Sequence, residues 1–277
     1  GYAAGIANAA GYNTITLSTF ISGAAGYQAF IITGSSYNTL SQVYAQNLAG
    51  SGVQIENLSN ANTISLSTMV TNSATGYGLY LDAASSNVIT GVYAANPANA
   101  GAYLSNSSNY NSLSLSSFTS NVGGLTAALA LDVNSSFNTL TGIYASNPSG
   151  FGAGLASGSN SNSISLSTFT SGGVDYSALA ISAASSNNVT GIYAYSSLGH
   201  GVWLDAGASS NTISLSTMVS YDLAYAALYI DNSASNTVTQ SYLWSAGFGV
   251  DMENGSGYNI ISLSTAIGIA EAGLYSS

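Results

Sequence analysis

Apolar residues alternate with other residues over four or five positions, stop, and resume along the whole chain. Gly52-Val53-Gln54-Ile55-Glu56, Gly78-Leu79-Tyr80-Leu81-Asp82 and Gly201-Val202-Trp203-Leu204-Asp205 are examples. A period of two predicts strands with one face turned inward. Small-residue clusters such as Ala83-Ala84-Ser85-Ser86 separate them and predict turns. No stretch combines helical spacing with helix caps. Pro97 and Pro148 each follow an Asn, just after a short strand, and mark loops because Pro has no N–H to give a ladder.

A second pattern locks onto the first. Asn, usually followed by Thr or Ser, an aliphatic residue and then Ser or Thr, recurs at Asn13, Asn38, Asn62, Asn87, Asn111, Asn138, Asn162, Asn187, Asn211, Asn236 and Asn259, with spacings of 23–27 residues. Copies of the N-T-I-S-L-S-T-M kind alternate with copies of the N-T-L-T-G-I-Y-A kind. Several short strands per period of this length predict a solenoid. The expected fold is all-β, a parallel β-helix of about eleven rungs of 23–27 residues, forming one domain over 1–277. Rungs stacked at ~4.8 Å make a rod about 50 Å long.

The pattern G-x-x-L-x-L, a small-residue turn, N-T-I-S and a further apolar residue resembles the pectate-lyase-like right-handed parallel β-helix superfamily. The resemblance covers essentially the whole chain and implies a right-handed coil. Many lyases of that superfamily use an Arg or Lys base, and its polygalacturonase-like members carry N-T-D, D-D, G-H-G and R-I-K. Only Gly199-His200-Gly201 matches here. The resemblance therefore implies a non-enzymatic member.

Counting from each Asn as position 0, position +2 is Ile, Leu or Val in every copy and predicts a buried column. Stacked Asn side chains predict an amide ladder along the axis. Three further columns alternate with the two-rung period. At +4, Leu17, Leu66, Leu115, Leu166, Leu215 and Leu263 alternate with Gln42, Gly91, Gly142, Gly191 and Gln240. At +6, Thr or Ser alternates with Tyr44, Tyr93, Tyr144, Tyr193 and Tyr242. At +7, Phe20, Met69, Phe118, Phe169 and Met218 alternate with Ala45, Ala94, Ala145, Ala194 and Leu243. Large over small predicts interdigitated packing for these columns.

Composition narrows the function. The chain has no Lys, no Arg and no Cys, and ten Asp and Glu give a net charge of −10. A chain without cations cannot neutralise phosphates, so nucleic acid is not an expected partner. No disulfide scaffold or thiolate metal site can form, and no apolar run is long enough for a transmembrane helix. The absence of every trypsin-type cleavage site fits an extracellular or cell-surface location.

The acids are candidates for chemistry. Glu56, Asp82, Asp132, Asp205, Asp231 and Glu253 all fall just after the x-L-x-L strand. The sets Asp205, Asp231, Glu253 and Glu56, Asp82 occupy consecutive rungs and are candidate Ca²⁺ ligands. No other cofactor is expected. His200 is the single His, so neither a His-based metal site nor a catalytic pair is available. Hydroxyls are the second candidate. With +2 inward, +1 and +3 point out, and Thr14, Thr16, Thr39, Ser41, Thr63, Ser65, Thr139, Thr141, Thr212, Ser214, Thr237 and Thr239 form two columns. Columns ~7 Å apart along the strand and ~5 Å between rungs resemble the T-x-T face of ice-binding solenoids. Sequons at Asn57, Asn106, Asn134, Asn188 and Asn254 permit glycosylation.

Neither end of the chain shows a capping helix or polar cap rung, which predicts an uncapped coil or a segment of a longer solenoid. The reading is a structural subunit or segment of an extracellular filament, sheath or surface adhesin. It self-associates into a homopolymer by head-to-tail stacking and by lateral contacts through Tyr, Leu and hydroxyl columns. A carbohydrate- or ice-binding surface protein is the alternative, with polysaccharide as partner. A polysaccharide lyase or hydrolase comes third.

Overall fold

The computed structural model describes residues 1–277. Three short strands recur in each turn and build three all-parallel sheets. The first sheet has 12 strands, from Ala4–Ile6 to Leu274–Ser276. The second has 11, from Thr14–Thr16 to Ile260–Ser262, and the third 11, from Thr19–Ser22 to Thr265–Gly268. Each strand pairs with its equivalents one turn away, so Leu79 faces Val53 on one side and Ala102 on the other. The repeat is thus one turn of a parallel β-solenoid of about eleven turns.

Left-handed residues make two of the corners. Position −1 lies between φ +55° and +61° in every turn, and position +4 between +48° and +64°. The first bends the chain from the first sheet into the second, the second from the second sheet into the third. The +4 Leu column lies on the outside: its six residues are 61–84% exposed, because a left-handed corner turns the side chain away from the core. Large over small still holds, but on the outside. A Cβ on Gly91, Gly142 or Gly191 would lie 3.0, 3.2 or 3.4 Å from Cδ2 of Leu66, Leu115 or Leu166.

Inside, 49 buried residues form one continuous core. The +2 column fills it, with only Ile15 and Ile261 partly exposed at the two ends. At +7, Phe118 and Phe169 are fully buried and pair in register with Ala94, Ala145 and Ala194. Equal stacking distance with unequal side chains is satisfied by this alternation.

The position-0 Asn residues form an unbroken ladder. Each donates Nδ2–H to Oδ1 of the Asn in the next turn at 3.0–3.2 Å, ten times in succession. Its backbone N–H donates to the same oxygen at 2.8–3.0 Å. The ladder satisfies polar groups inside a tight buried turn, where an unpaired one would be costly.

A second polar column lies at the end of the third sheet. Asn47, Asn96 and Asn147 are fully buried. Asn96 Nδ2–H donates to the carbonyls of Ser73 and Gly76 at 2.9 and 2.7 Å, and Asn147 to those of Val122 and Thr126 at 3.0 and 3.1 Å. Ser or Thr holds equivalent carbonyls elsewhere, as in Ser171 Oγ to Gly150 O at 2.8 Å. The Asn before each Pro is therefore a loop anchor.

Candidate functional site

The outer surface carries four distinct features, each set by a column of the repeat. The first is an apolar ridge. The six +4 Leu residues stand on alternate turns, and the +6 Tyr residues occupy the turns between them, two positions further along. Tyr93, Tyr144, Tyr193 and Tyr242 are 42–44% exposed. The two sets interleave along the corner between the second and third sheets for the whole length of the rod.

The second feature is the hydroxyl face. Thr14, Thr39, Thr63, Thr139, Thr212 and Thr237 line one outward column of the second sheet. Thr16, Ser41, Ser65, Thr141, Ser214 and Thr239 line the other. The +3 hydroxyls bond to one another between turns, in the pairs Ser65–Ser41 at 3.0 Å, Ser114–Thr90 at 2.9 Å, Thr141–Ser165 at 3.0 Å, Ser214–Thr190 at 3.1 Å and Ser262–Thr239 at 3.2 Å. Val88, Asn188 and Ile260 interrupt the +1 column.

The third is the acid column at the end of the first sheet. Glu56 pairs with Asp82, and Asp231 with Glu253, in adjacent turns. With no cations available, neutral donors serve these carboxylates. Asn106 donates to Asp82 and Asn254 to Asp231, both at 2.6 Å. Gln54 donates to Glu56 at 2.6 Å, Tyr103 to Asp132 at 2.9 Å and Tyr229 to Glu253 at 3.0 Å. Burial raises the pKa of Asp205, and Asp231 adds to the effect. No three His, Asp or Glu side chains converge closely enough to hold a metal ion. The candidate calcium ligands thus lie in a column without forming a preassembled cage.

The fourth feature was not visible as a motif. The middle outward column of the first sheet runs in register through Gln54, Tyr80, Tyr103, Ala130, Gly154, Ala180, Trp203, Tyr229 and Asp251. Aromatic rings stack on either side of three small residues. Tyr77 and Tyr103 are stacked at 4.7 Å, and His200 lies flat on Tyr229 at 4.4 Å. The interruption leaves a groove of about 480 Å³, lined by Tyr103, Phe151 and Trp203 and edged by Asp132 and Asp205. Burial, followed by the bond to Asp132, pushes the Tyr103 phenol up to about 12.

Beside the groove, His200 Nδ1 accepts the Ala226 N–H at 3.0 Å, and burial pulls its pKa down to about 4. It is a neutral ring in an aromatic cluster. The glycines around it have a packing origin. A Cβ on Gly199 would lie 2.1 Å from the Tyr176 carbonyl oxygen, and one on Gly201 2.6 Å from that of Ala227. The Gly-His-Gly match therefore follows from close turns. Further along the same column, Asp251 is 9% exposed and its Oδ1 lacks a partner. Burial, and then Glu253, raises its pKa to about 6.

Comparison with known proteins fits this architecture. The family described as "Right handed beta helix region" matches residues 125–266, and "Periplasmic copper-binding protein (NosD)" matches residues 1–142. No curated protein sequence matches the chain. Among solved structures it is similar to the Dettilon tailspike protein, with a TM-score of 0.50 and 16% identity over 90% of this chain. The match spans 60% of the tailspike chain. It is similar to the A-module of the Azotobacter vinelandii mannuronan C-5 epimerase AlgE4, with a TM-score of 0.57 and 10% identity over 91% of each chain. It is also similar to pectate lyase Pel9A, with a TM-score of 0.51 and 16% identity over 86% of this chain and 67% of that one. At such identities the likeness is one of fold. The chain belongs to the right-handed β-helix family, with a NosD-type N-terminal half.

Proposed function

We propose that this chain is a structural solenoid of an extracytoplasmic assembly, and that copies pack side by side through the Leu–Tyr ridge. The observation that carries the reading is the +4 column. Six Leu side chains sit at φ +48° to +51° and are 61–84% exposed. Gly and Gln hold the same corner in alternate turns, so the backbone does not require Leu there. Left-handed corners recur throughout this coil, so it is the exposure that is informative: a continuous exposed apolar column adds little to monomer stability and points to a role outside the monomer. Burying one Leu side chain against a partner contributes roughly 2 kcal/mol, and the ridge repeats that contact along the rod. Head-to-tail continuation of the three sheets, by the same parallel pairing, would lengthen the rods within such an assembly. Sedimentation velocity over a concentration series tests the lateral contact: the reading expects assembly that grows with concentration.

The periplasmic setting in the NosD description supports a location outside the cytoplasm. Copper binding does not carry over. Copper sites draw on imidazole, thiolate or thioether, yet residues 1–142 contain no His, no Cys and one Met, and that Met69 is 1% exposed. The donor set does not fit the metal. A non-enzymatic reading is supported by the absence of any Lys or Arg base and by a single His whose Nδ1 is occupied. The carbohydrate- or ice-binding alternative draws on the unbroken Ser/Thr column at +3. It is the weaker reading, because those hydroxyls already bond to one another.

A further inference from the structure

We infer that the groove between Tyr103 and Trp203 binds an oligosaccharide carrying free amino groups. Three observations lead there. The first is shape. Ala130, Gly154 and Ala180 leave a gap between the Tyr80–Tyr103 and Trp203–Tyr229 segments of the column, and Tyr103 and Trp203 flank it four turn steps apart, roughly 19 Å. Those three floor positions carry nothing larger than a methyl group and no charge, and Phe151 adds an apolar wall beside Trp203, so a chain of pyranose rings can lie along the strands. Its terminal rings would meet the faces of Tyr103 and Trp203.

The second is charge. One carboxylate edges each end of the groove, Asp132 beside Tyr103 and Asp205 beside Trp203. A carboxylate next to an aromatic face is a site for an ammonium group, which both attract. The third is what the chain lacks. Without Lys or Arg, nothing offsets these carboxylates and nothing could pair with an acidic sugar. Complementarity therefore selects a cationic saccharide and disfavours a uronate chain.

The test uses the full chain and isothermal titration with glucosamine oligomers, N-acetylglucosamine oligomers of equal length, oligogalacturonate and an alkyl polyamine, in mildly acidic buffer. The key variant is Ala180→Tyr. It fills the groove with the residue this column carries at positions 80, 103 and 229, and keeps all ten acids. Non-specific attraction to an acidic protein therefore survives in the variant, while groove binding does not. The expected result is binding of glucosamine oligomers, weaker by about tenfold when the amines are acetylated, the effect of losing one desolvated cation–π contact. Ala180→Tyr should lose the binding with its thermal transition intact; if it does not fold, Trp203→Ala takes its place. No binding of the glucosamine oligomer would overturn the inference. So would equal affinity for the acetylated oligomer or the polyamine, or undiminished binding by the filled groove.

Discussion

Leu66 lies over Gly91 of the next turn, so close that a Cβ on Gly91 would stand 3.0 Å from Leu66 Cδ2. The Leu covers a glycine corner and still leaves 64% of its own surface in solvent. Leu115 and Leu166 repeat the arrangement over Gly142 and Gly191. A residue placed this way contributes little to its own fold. Asn tolerates the left-handed region better than Leu. Leu115→Asn should therefore change stability by less than about 1 kcal/mol, read by chemical denaturation. A loss of several kcal/mol would make the column structural.

The Asn ladder predicts a steep dependence on position. Asn138→Ala removes the acceptor of the Asn111 backbone N–H and of one Asn111 Nδ2 hydrogen, at bonds of 2.8 and 3.1 Å in a buried turn, while the other Nδ2 hydrogen keeps the Ala84 carbonyl at 3.0 Å. Two orphaned buried donors should cost about 3 kcal/mol. Asn13 is exposed and accepts from no ladder neighbour, so Asn13→Ala should cost well under half as much. Equal losses at the two sites would argue against a cooperative ladder.

The +7 alternation predicts that size order matters more than hydrophobicity. Ala145 pairs in register with Phe118 and Phe169. Ala145→Phe puts three rings into adjacent turns of a filled core and should destabilise by about 2 kcal/mol. Phe118→Ala opens a cavity instead and should cost about 4 kcal/mol. Thermal unfolding of the two variants separates overpacking from cavity formation.

The pH dependence rests on two opposed groups. Asp251 is held near 6, above the usual carboxylate value of about 4. The folded state therefore disfavours its charge, and the cost appears as pH rises from about 4 to about 6. His200 is held near 4, below its usual value of about 6.5, so the fold loses stability as pH falls through that interval. Asp205, also raised by burial, acts in the same sense as Asp251. The two trends oppose each other, and the transition temperature should change little between about pH 6.5 and 4. Asp251→Asn should expose the His200 trend, with stability falling on acidification. His200→Gln should do the reverse. Unchanged slopes in both variants would contradict the assignment.

The repeat, the strands and the interior +2 and +7 columns could be read from the sequence because each depends on periodicity and size. The Asn ladder could be read for a related reason: identical residues at a fixed period must stack. The +4 column could not be placed. Leu is an unusual occupant of a left-handed corner, and only Gly91, Gly142 and Gly191 in the alternate turns hinted at the backbone there. Asn96 and Asn147 looked like loop residues because Pro follows them, although their side chains are buried anchors. The groove was hidden for a different reason. Ala130, Gly154 and Ala180 are unremarkable one at a time, and they form a gap only when the outward position of each x-L-x-L strand is read down the stack.

The most direct test of the side-by-side account is negative-stain electron microscopy of the wild type and of a triple variant, Leu66→Asn, Leu115→Asn and Leu166→Asn, at matched concentrations. The account predicts rods aligned side by side in the wild type and separate rods about 50 Å long in the variant, at ~4.8 Å per turn. Separate rods for both proteins, or identical lateral assemblies for both, would contradict it.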